Sequence, residues 1–309
     1  MRLVFMGTPD FAVPSLTALH AAGHEIVGVF TQPDRPAGRK QVLTPPAVKL
    51  EAQRLGLPVH QPETFKNRAC EPLLQALAPE LIAVVAYGKI LPRHVLTLPG
   101  LGCVNLHGAL LPAYRGAAPI QWAIINGEPR TGVTTLLMDQ GVDTGDILLQ
   151  AETDIGEYET YGELYARLSL LGAPLLVETV AQLAAGTAQR RRQQEALATF
   201  APPLDKALAR LDFTRPARAL CKLVCGTNPW PVANTSLGGK GLKVFRAELG
   251  GAAEGRPGLA VGREDAIAVC CGDRRELLIL ELQLEGGKRL PAREYLRGRP
   301  MPEPVLLGG

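Results

Sequence analysis

Asn105-Leu106-His107-Gly108-Ala109-Leu110-Leu111-Pro112-Ala113-Tyr114-Arg115-Gly116 follows a short apolar run that starts at Gly102. The run reads as a strand, and the Gly- and Pro-containing residues behind it read as the turn that ends it. Asn105 and His107 are two positions apart, so on a strand their side chains leave the same face. A neutral amide and an imidazole then project together from a strand end. That pairing suits a site that holds a developing oxyanion and moves a proton.

Working outward, the first half alternates strand-like and helix-like segments. Residues 3–6, 26–31, 81–86 and 103–106 are short runs of Val, Ile, Leu and Ala bounded by turn residues. Residues 14–22, 47–55 and 69–77 carry apolar side chains at helical spacing. Strands without alternation, separated by helices, predict a Rossmann-like, mostly parallel sheet covered on both faces. Such sheets bind ligands beyond the carboxyl ends of their strands. Asn105 and His107 sit at one such end, and Gly7-Thr8-Pro9-Asp10-Phe11 at another.

Beyond this core, residues 131–138 and 147–150 read as a hairpin with an acidic tip, Asp139-Gln140-Gly141-Val142-Asp143-Thr144-Gly145-Asp146. A long amphipathic helix is expected over 158–183. The basic run Gln189-Arg190-Arg191-Arg192-Gln193-Gln194-Glu195 reads as part of a linker. After a further helix over 217–224, short strand-like pieces at 242–249, 259–261, 266–271 and 277–283 predict a small antiparallel, OB-like barrel. The expected division is a catalytic domain over 1–188, a linker over 189–206 and a barrel domain over 207–309.

Composition sets limits. The 309 residues exceed one typical core, 46% are hydrophobic, and the net charge is only +3. No global basic field marks a nucleic-acid binder, although local patches remain compatible. The apolar run Arg2-Leu3-Val4-Phe5-Met6 is too short for a signal h-region and is expected to be a first strand. No apolar stretch approaches the roughly 20 residues that span a bilayer. The six cysteines, Cys70, Cys103, Cys221, Cys225, Cys270 and Cys271, lack metal-site spacing and read as buried apolar residues. Asp139, Asp143 and Asp146 lack the order of a calcium loop, so no metal is expected. Gly7-Thr8-Pro9-Asp10-Phe11 lacks the G-x-G-x-x-G of a dinucleotide site.

Alone, Asn105, His107 and Asp143 each have an ordinary structural explanation, such as a turn cap or a satisfied histidine. Their surroundings alter that balance. Asn105-x-His107-x-x-Leu110-Leu111-Pro112-x-x-Arg115-Gly116, followed by Asp139-x-Gly141-x-Asp143-Thr144-Gly145, resembles the folate-dependent formyltransferase family. The resemblance extends to Thr31-Gln32-Pro33-Asp34-Arg35-Pro36-Ala37-Gly38-Arg39, Val85-Ala86-Tyr87-Gly88-x-Ile90-Leu91-Pro92 and Asn228-Pro229-Trp230-Pro231.

The resemblance implies formyl transfer from 10-formyltetrahydrofolate, as cosubstrate, to the α-amine of initiator methionyl-tRNA. It implies Asn105 and His107 as donors to the oxyanion and Asp143 as the proton relay. Ala109, Leu110, Leu111 and Pro112 would line the folate site, with Ala86, Tyr87, Gly88 and Ile90 beside the pteridine. Arg35, Arg39, Lys40, Lys206 and Lys243 would touch the tRNA, with Arg218, Lys222, Lys240 and Arg246 nearby. The expected setting is a cytoplasmic monomer with no membrane partner. Other acceptors of the same chemistry are an amino-sugar nucleotide and glycinamide ribonucleotide. The chain departs from the family pattern at Ala109, where Ser is usual, and at Gln41 and Val42, where further lysines are common.

Overall fold

The computed structural model describes residues 1–37 and 41–308. The chain forms two compact units. The first comprises residues 1–116, 132–153 and 165–200, and the second 117–131, 154–164 and 201–309. The second unit thus takes two segments from within the stretch expected as the catalytic domain.

The first unit is built on a seven-stranded sheet. Its strands are β1 (Arg2–Gly7), β2 (Glu25–Phe30), β3 (Val59–His60), β4 (Leu81–Val85), β5 (Cys103–His107), β6 (Arg130–Leu137) and β7 (Ile147–Asp154). They lie in the order β7-β6-β5-β4-β1-β2-β3. The five strands from β5 to β3 are parallel, and β6 runs antiparallel to β5. β4 is buried along its whole length, as expected of a strand with helices on both faces. Helices α1 (Val13–Ala21), α2 (Ala47–Arg54), α3 (Glu71–Leu77) and α4 (Arg93–Leu96) fall between these strands. Chain direction reverses beside β1, because β2 leaves on one side and β4 returns on the other. That reversal opens a crevice at the carboxyl ends.

Residues 165–184 of a long helix, α6 (Tyr161–Ala184), belong to this unit and pack on its sheet; the preceding helix, α5 (Pro119–Ile125), lies in the second unit. Gly172 admits the Leu106 side chain, since a Cβ at Gly172 would lie 2.5 Å from Leu106 Cδ2. Leu106 therefore faces the helix, and its neighbours Asn105 and His107 face away from it. The helix corrects one expectation: it is long and apolar enough to span a bilayer by length and composition. Leu168, Leu176 and Val180 are nonetheless buried, and Ser169 Oγ donates to the Phe11 carbonyl at 2.8 Å. Its apolarity is that of a core helix.

The second unit holds α5 (Pro119–Ile125), α7 (Ala217–Thr227), α8 (Ala292–Gly298) and an antiparallel sheet. The sheet runs β8 (Ala233–Leu237), β9 (Lys240–Ala252), β12 (Arg275–Leu284), β11 (Ile267–Cys270), β10 (Leu259–Gly262) and β13 (Val305–Leu306). A bridge between Leu237 and Leu307 brings its two edges together, so the sheet curls back on itself as the barrel reading anticipated. The amphipathic α7 seals the inside with Leu220, Cys221, Val224 and Cys225, all buried. α7 also packs on α5, where a Cβ at Gly226 would lie 2.5 Å from Ile125 Cγ1. All six cysteines are free and buried.

Candidate active site

β4 and β5 place their carboxyl ends side by side, with Val84 opposite Asn105 and Val85 opposite Leu106. The segment after β4 turns sharply, with Ala86 at φ +47° and Gly88 at φ +78°. Thr8, just past β1, donates from Oγ1 to the Tyr87 carbonyl at 2.9 Å. Gln32, just past β2, donates from Nε2 to the same carbonyl at 3.1 Å. Four strand ends are thereby tied to one edge. Asp34 in the loop after β2 is pinned by Lys49 at 2.7 Å and by Gln61 at 2.8 Å. Lys49 holds its carboxyl below the usual aspartate range.

The three groups singled out in the sequence meet at this edge. Asn105 Nδ2 makes a long contact of 3.4 Å to Asp143 Oδ1. His107 Nδ1 lies 3.5 Å from Asp143 Oδ2. The Gly116 N–H donates to that same oxygen at 2.9 Å. His107 is buried and Asp143 largely so. The far ring nitrogen, Nε2, lies 2.9 Å from the Tyr114 carbonyl. A carbonyl only accepts, so Nε2 carries the hydrogen, and Nδ1 is the nitrogen that faces Asp143. His107 thus spends Nε2 on the backbone and turns Nδ1 toward Asp143, while Asn105 turns its amide to the other carboxylate oxygen.

The backbone at the site is unusual. Tyr114 (φ +60°) and Asp143 (φ +55°) both occupy the left-handed region, which residues other than glycine seldom adopt. The turn carrying Asp143 needs its glycines: a Cβ at Gly145 would lie 1.8 Å from the Leu137 carbonyl oxygen, and one at Gly141 1.9 Å from Thr144 Oγ1. Asp139 Oδ1 closes the turn by accepting from the Gly141 N–H at 2.9 Å and from Thr144 Oγ1 at 2.6 Å.

Residues 109–112 are anchored from β6 and β7. Thr134 Oγ1 donates to the Ala109 carbonyl at 2.6 Å and accepts from the Leu111 N–H at 3.1 Å. Gln150 Nε2 donates to the Leu111 carbonyl at 2.9 Å and to Thr134 Oγ1 at 3.0 Å. Leu110 and Pro112 are partly exposed, whereas Ala109 and Leu111 are buried. Tyr87 likewise turns its ring into the core, against Phe65 at 6.0 Å, so only its backbone is offered at the edge. Burial pushes its hydroxyl up from the usual tyrosine value. Ile90 is 86% exposed.

Two features escaped the sequence reading. Part of the stretch expected as a linker lies against the site: Arg191 pairs with Ile147, and the Arg115 N–H donates to the Thr199 carbonyl at 2.9 Å. Gln193 is buried and donates from Nε2 to the Asp143 and Gly145 carbonyls, each at 2.7 Å. Arg115, 1% exposed, donates to Gln193 Oε1 at 2.9 and 3.1 Å and to the Glu195 carboxylate at 2.7 and 2.8 Å. That pairing keeps Glu195 below the usual glutamate range. The sequence signal was faint: a polar Gln and Glu ending a basic run.

Of the expected basic contacts, Arg35, Lys206 and Lys243 are exposed, while Arg39 and Lys40 lie outside the described residues. Arg35 opens a short hairpin, Arg35–Ala37 with Val42–Thr44, that the Gly/Pro-rich sequence had concealed. Lys222 is a correction, being buried with Nζ donating to the Glu157 carbonyl at 2.5 Å. Arg218 pairs with Glu157 at 2.9 Å and Arg246 with Glu163 at 2.5 Å.

The formyl transferase model matches residues 1–180, and the model of the formyl transferase C-terminal domain matches residues 203–300. The chain belongs to the formyl transferase family. Among its relatives in that family, a methionyl-tRNA formyltransferase of Moorella thermoacetica is 51% identical over 311 residues, covering 100% of this chain and 99% of that protein. One of Pelotomaculum thermopropionicum is 49% identical over 312 residues, with 100% and 99% covered. The formyl transferase fold is shared with an N-formyltransferase from Helicobacter canadensis, solved with folinic acid and dTDP-3-aminofucose. That structure has a TM-score of 0.69 at 17% identity, covering 90% of this chain and 98% of that one.

Proposed function

We propose that this chain transfers the formyl group of 10-formyltetrahydrofolate to the α-amine of initiator methionyl-tRNA. The observation that carries the reading is the meeting of Asn105, His107 and Asp143 at one sheet edge, in a chain that is half identical over its length to proteins bearing that name.

The chemistry follows from the groups present. The amine attacks the formyl carbon, a C–N bond forms, and the formyl oxygen gains negative charge. Asn105 donates to that oxygen from Nδ2, a contribution of the oxyanion-hole kind. The attacking nitrogen must lose a proton, and N10 of the folate must gain one before its C–N bond breaks. Asp143 and Nδ1 of His107 carry that proton, directly or through water. Tyr114 and Gly116 hold the two groups in register.

Leu110, Pro112 and the backbone of Ala86, Tyr87 and Gly88 border the folate, with Ile90 at its rim. Ala109 and Leu111 support that surface from beneath. Arg35, Arg39 and Lys40 in the first unit, and Lys206 and Lys243 in the second, contact tRNA phosphates, which orients the nucleic acid without reading its sequence. The proposal extends to a cytoplasmic monomer that needs no membrane, checked by sedimentation.

The test supplies purified protein with 10-formyltetrahydrofolate and charged initiator tRNA, alongside free methionine and an amino-sugar nucleotide. Formylation of the tRNA alone is the expected result. Transfer to the amino sugar alone, or to nothing, overturns the reading.

A further inference from the structure

Gln193 is buried, and the orientation of its amide is dictated by its neighbours. Oε1 accepts two bonds from the Arg115 guanidinium, at 2.9 and 3.1 Å. Nε2 faces the Asp143 and Gly145 carbonyls, both at 2.7 Å. A flipped amide would set acceptor against acceptor and donor against donor. Arg115 is itself fixed, since its outer edge grips the Glu195 carboxylate at 2.7 and 2.8 Å. A chain of hydrogen bonds, charge-assisted at Arg115, thus runs from Glu195 through Arg115 and Gln193 to the main chain of Asp143.

Two adjacent residues, Arg115 and Gly116, both bear on Asp143. Arg115 reaches its backbone through Gln193, and the next residue, Gly116, donates directly to its carboxylate at 2.9 Å. Asp143 sits in the left-handed region at φ +55°, a conformation that costs free energy for a non-glycine residue and persists only when the surroundings enforce it. Gln193 supplies that enforcement from one side and Gly116 from the other.

We propose that Gln193, oriented by Arg115 and Glu195, is a positioning residue that sets the Asp143 carboxylate against His107 for proton transfer. The inference rests on the function proposed above and deepens it. Residues 193–195 follow the run of three arginines in the segment read as a linker, so the proton-handling group is held from a part of the chain that a motif search would pass over. A misplacement on the order of 1 Å costs about 100-fold in rate, which sets the scale of the expected effect.

The test is a double-mutant cycle on tRNA formylation, with Gln193→Ala, Asp143→Asn and both together. Gln193→Ala is expected to lower kcat by about 10- to 100-fold while leaving the KM for the formyl donor within about twofold. In the Asp143→Asn background the same change is expected to cost less than about threefold, because the group it positions no longer works. An undiminished loss in that background, a change confined to KM, or an unchanged kcat overturns the inference. If Gln193→Ala does not fold, Gln193→Glu takes its place: it keeps the size and the Arg115 partner but has no N–H for the two carbonyls. No transfer by the parent protein defeats the functional reading; full transfer with an inert Gln193 change defeats only this inference.

Discussion

His107 donates from Nε2 to the Tyr114 carbonyl at 2.9 Å, which commits its other nitrogen to Asp143. In the proposed mechanism the imidazole and carboxylate handle the proton together. Asp143→Asn preserves an acceptor for the Gly116 N–H and removes the charge. It is expected to lower kcat by about 100- to 10,000-fold with a thermal midpoint close to that of the parent. A rate within a factor of three of the parent would remove Asp143 from the chemistry.

In the proposed mechanism Asn105 donates to the oxyanion. Asn105→Ala is expected to cost on the order of 100- to 1,000-fold in kcat, with little change in KM for the formyl donor. Steady-state kinetics with saturating tRNA separate the two. A loss seen only in KM would make Asn105 a binding group instead.

Thr134 is fully buried and serves the Ala109 carbonyl, the Leu111 N–H and the Gln150 amide together. Thr134→Val keeps the shape and strands those groups. Each buried polar group left unpaired costs about 1–3 kcal/mol. Chemical denaturation is expected to show a loss of that size, and folate titration a raised Kd. Unchanged binding would mean that residues 109–112 hold their shape without it.

Gly145 has no room for a methyl group beside the Leu137 carbonyl. Gly145→Ala is expected to shift the Asp143 turn, cost about 1–3 kcal/mol of stability, and abolish measurable transfer. A crystal structure of the variant with Asp143 unmoved would contradict this.

Glu51 ties α2 to α1, accepting from Arg54 at 2.7 and 2.8 Å and from Thr17 at 2.9 Å. The Arg54 guanidinium, aided by Thr17, lowers its carboxyl from 4.5 to about 2. A pKa lowered on folding stabilises the native state above the unfolded value, and that stabilisation fades as pH falls from about 4.5 toward 2. Glu51→Gln is therefore expected to be less stable than the parent at pH 7, with the gap closing in acid. An equal gap at pH 7 and pH 2.5 would contradict the linkage.

The sequence carried β1, β2, β4 and β5 because each is a short, mostly apolar run bounded by turn residues, whereas β3, Val59–His60, is too short to show a pattern. Asn105 and His107 were legible through a period of two at a strand end. Asp143 was legible only through the motif around it, since 38 residues separate it from Asn105. β8 was missed because Asn234, Thr235 and Ser236 carry no apolar alternation, and only pairing with β9 makes them a strand. Lys222 looked like a surface cation because charge gives no hint of the Glu157 carbonyl that receives it. Gln193 was invisible for the same reason: its partners Arg115 and Asp143 are 78 and 50 residues away. Local pattern reports which face is apolar; it does not report which polar groups close a distant ring.

The second unit borrows residues 117–131 and 154–164 from within the span of the N-terminal family model. The seam between the two family models, 180 to 203, is therefore no place to divide the gene. A C-terminal fragment begun there would leave behind α5, against which Gly226 is fitted, and Glu157, which neutralises Lys222. Exchange of tails between distant relatives would have to carry those two short excursions with it, so this pair of units is inherited as an interleaved whole.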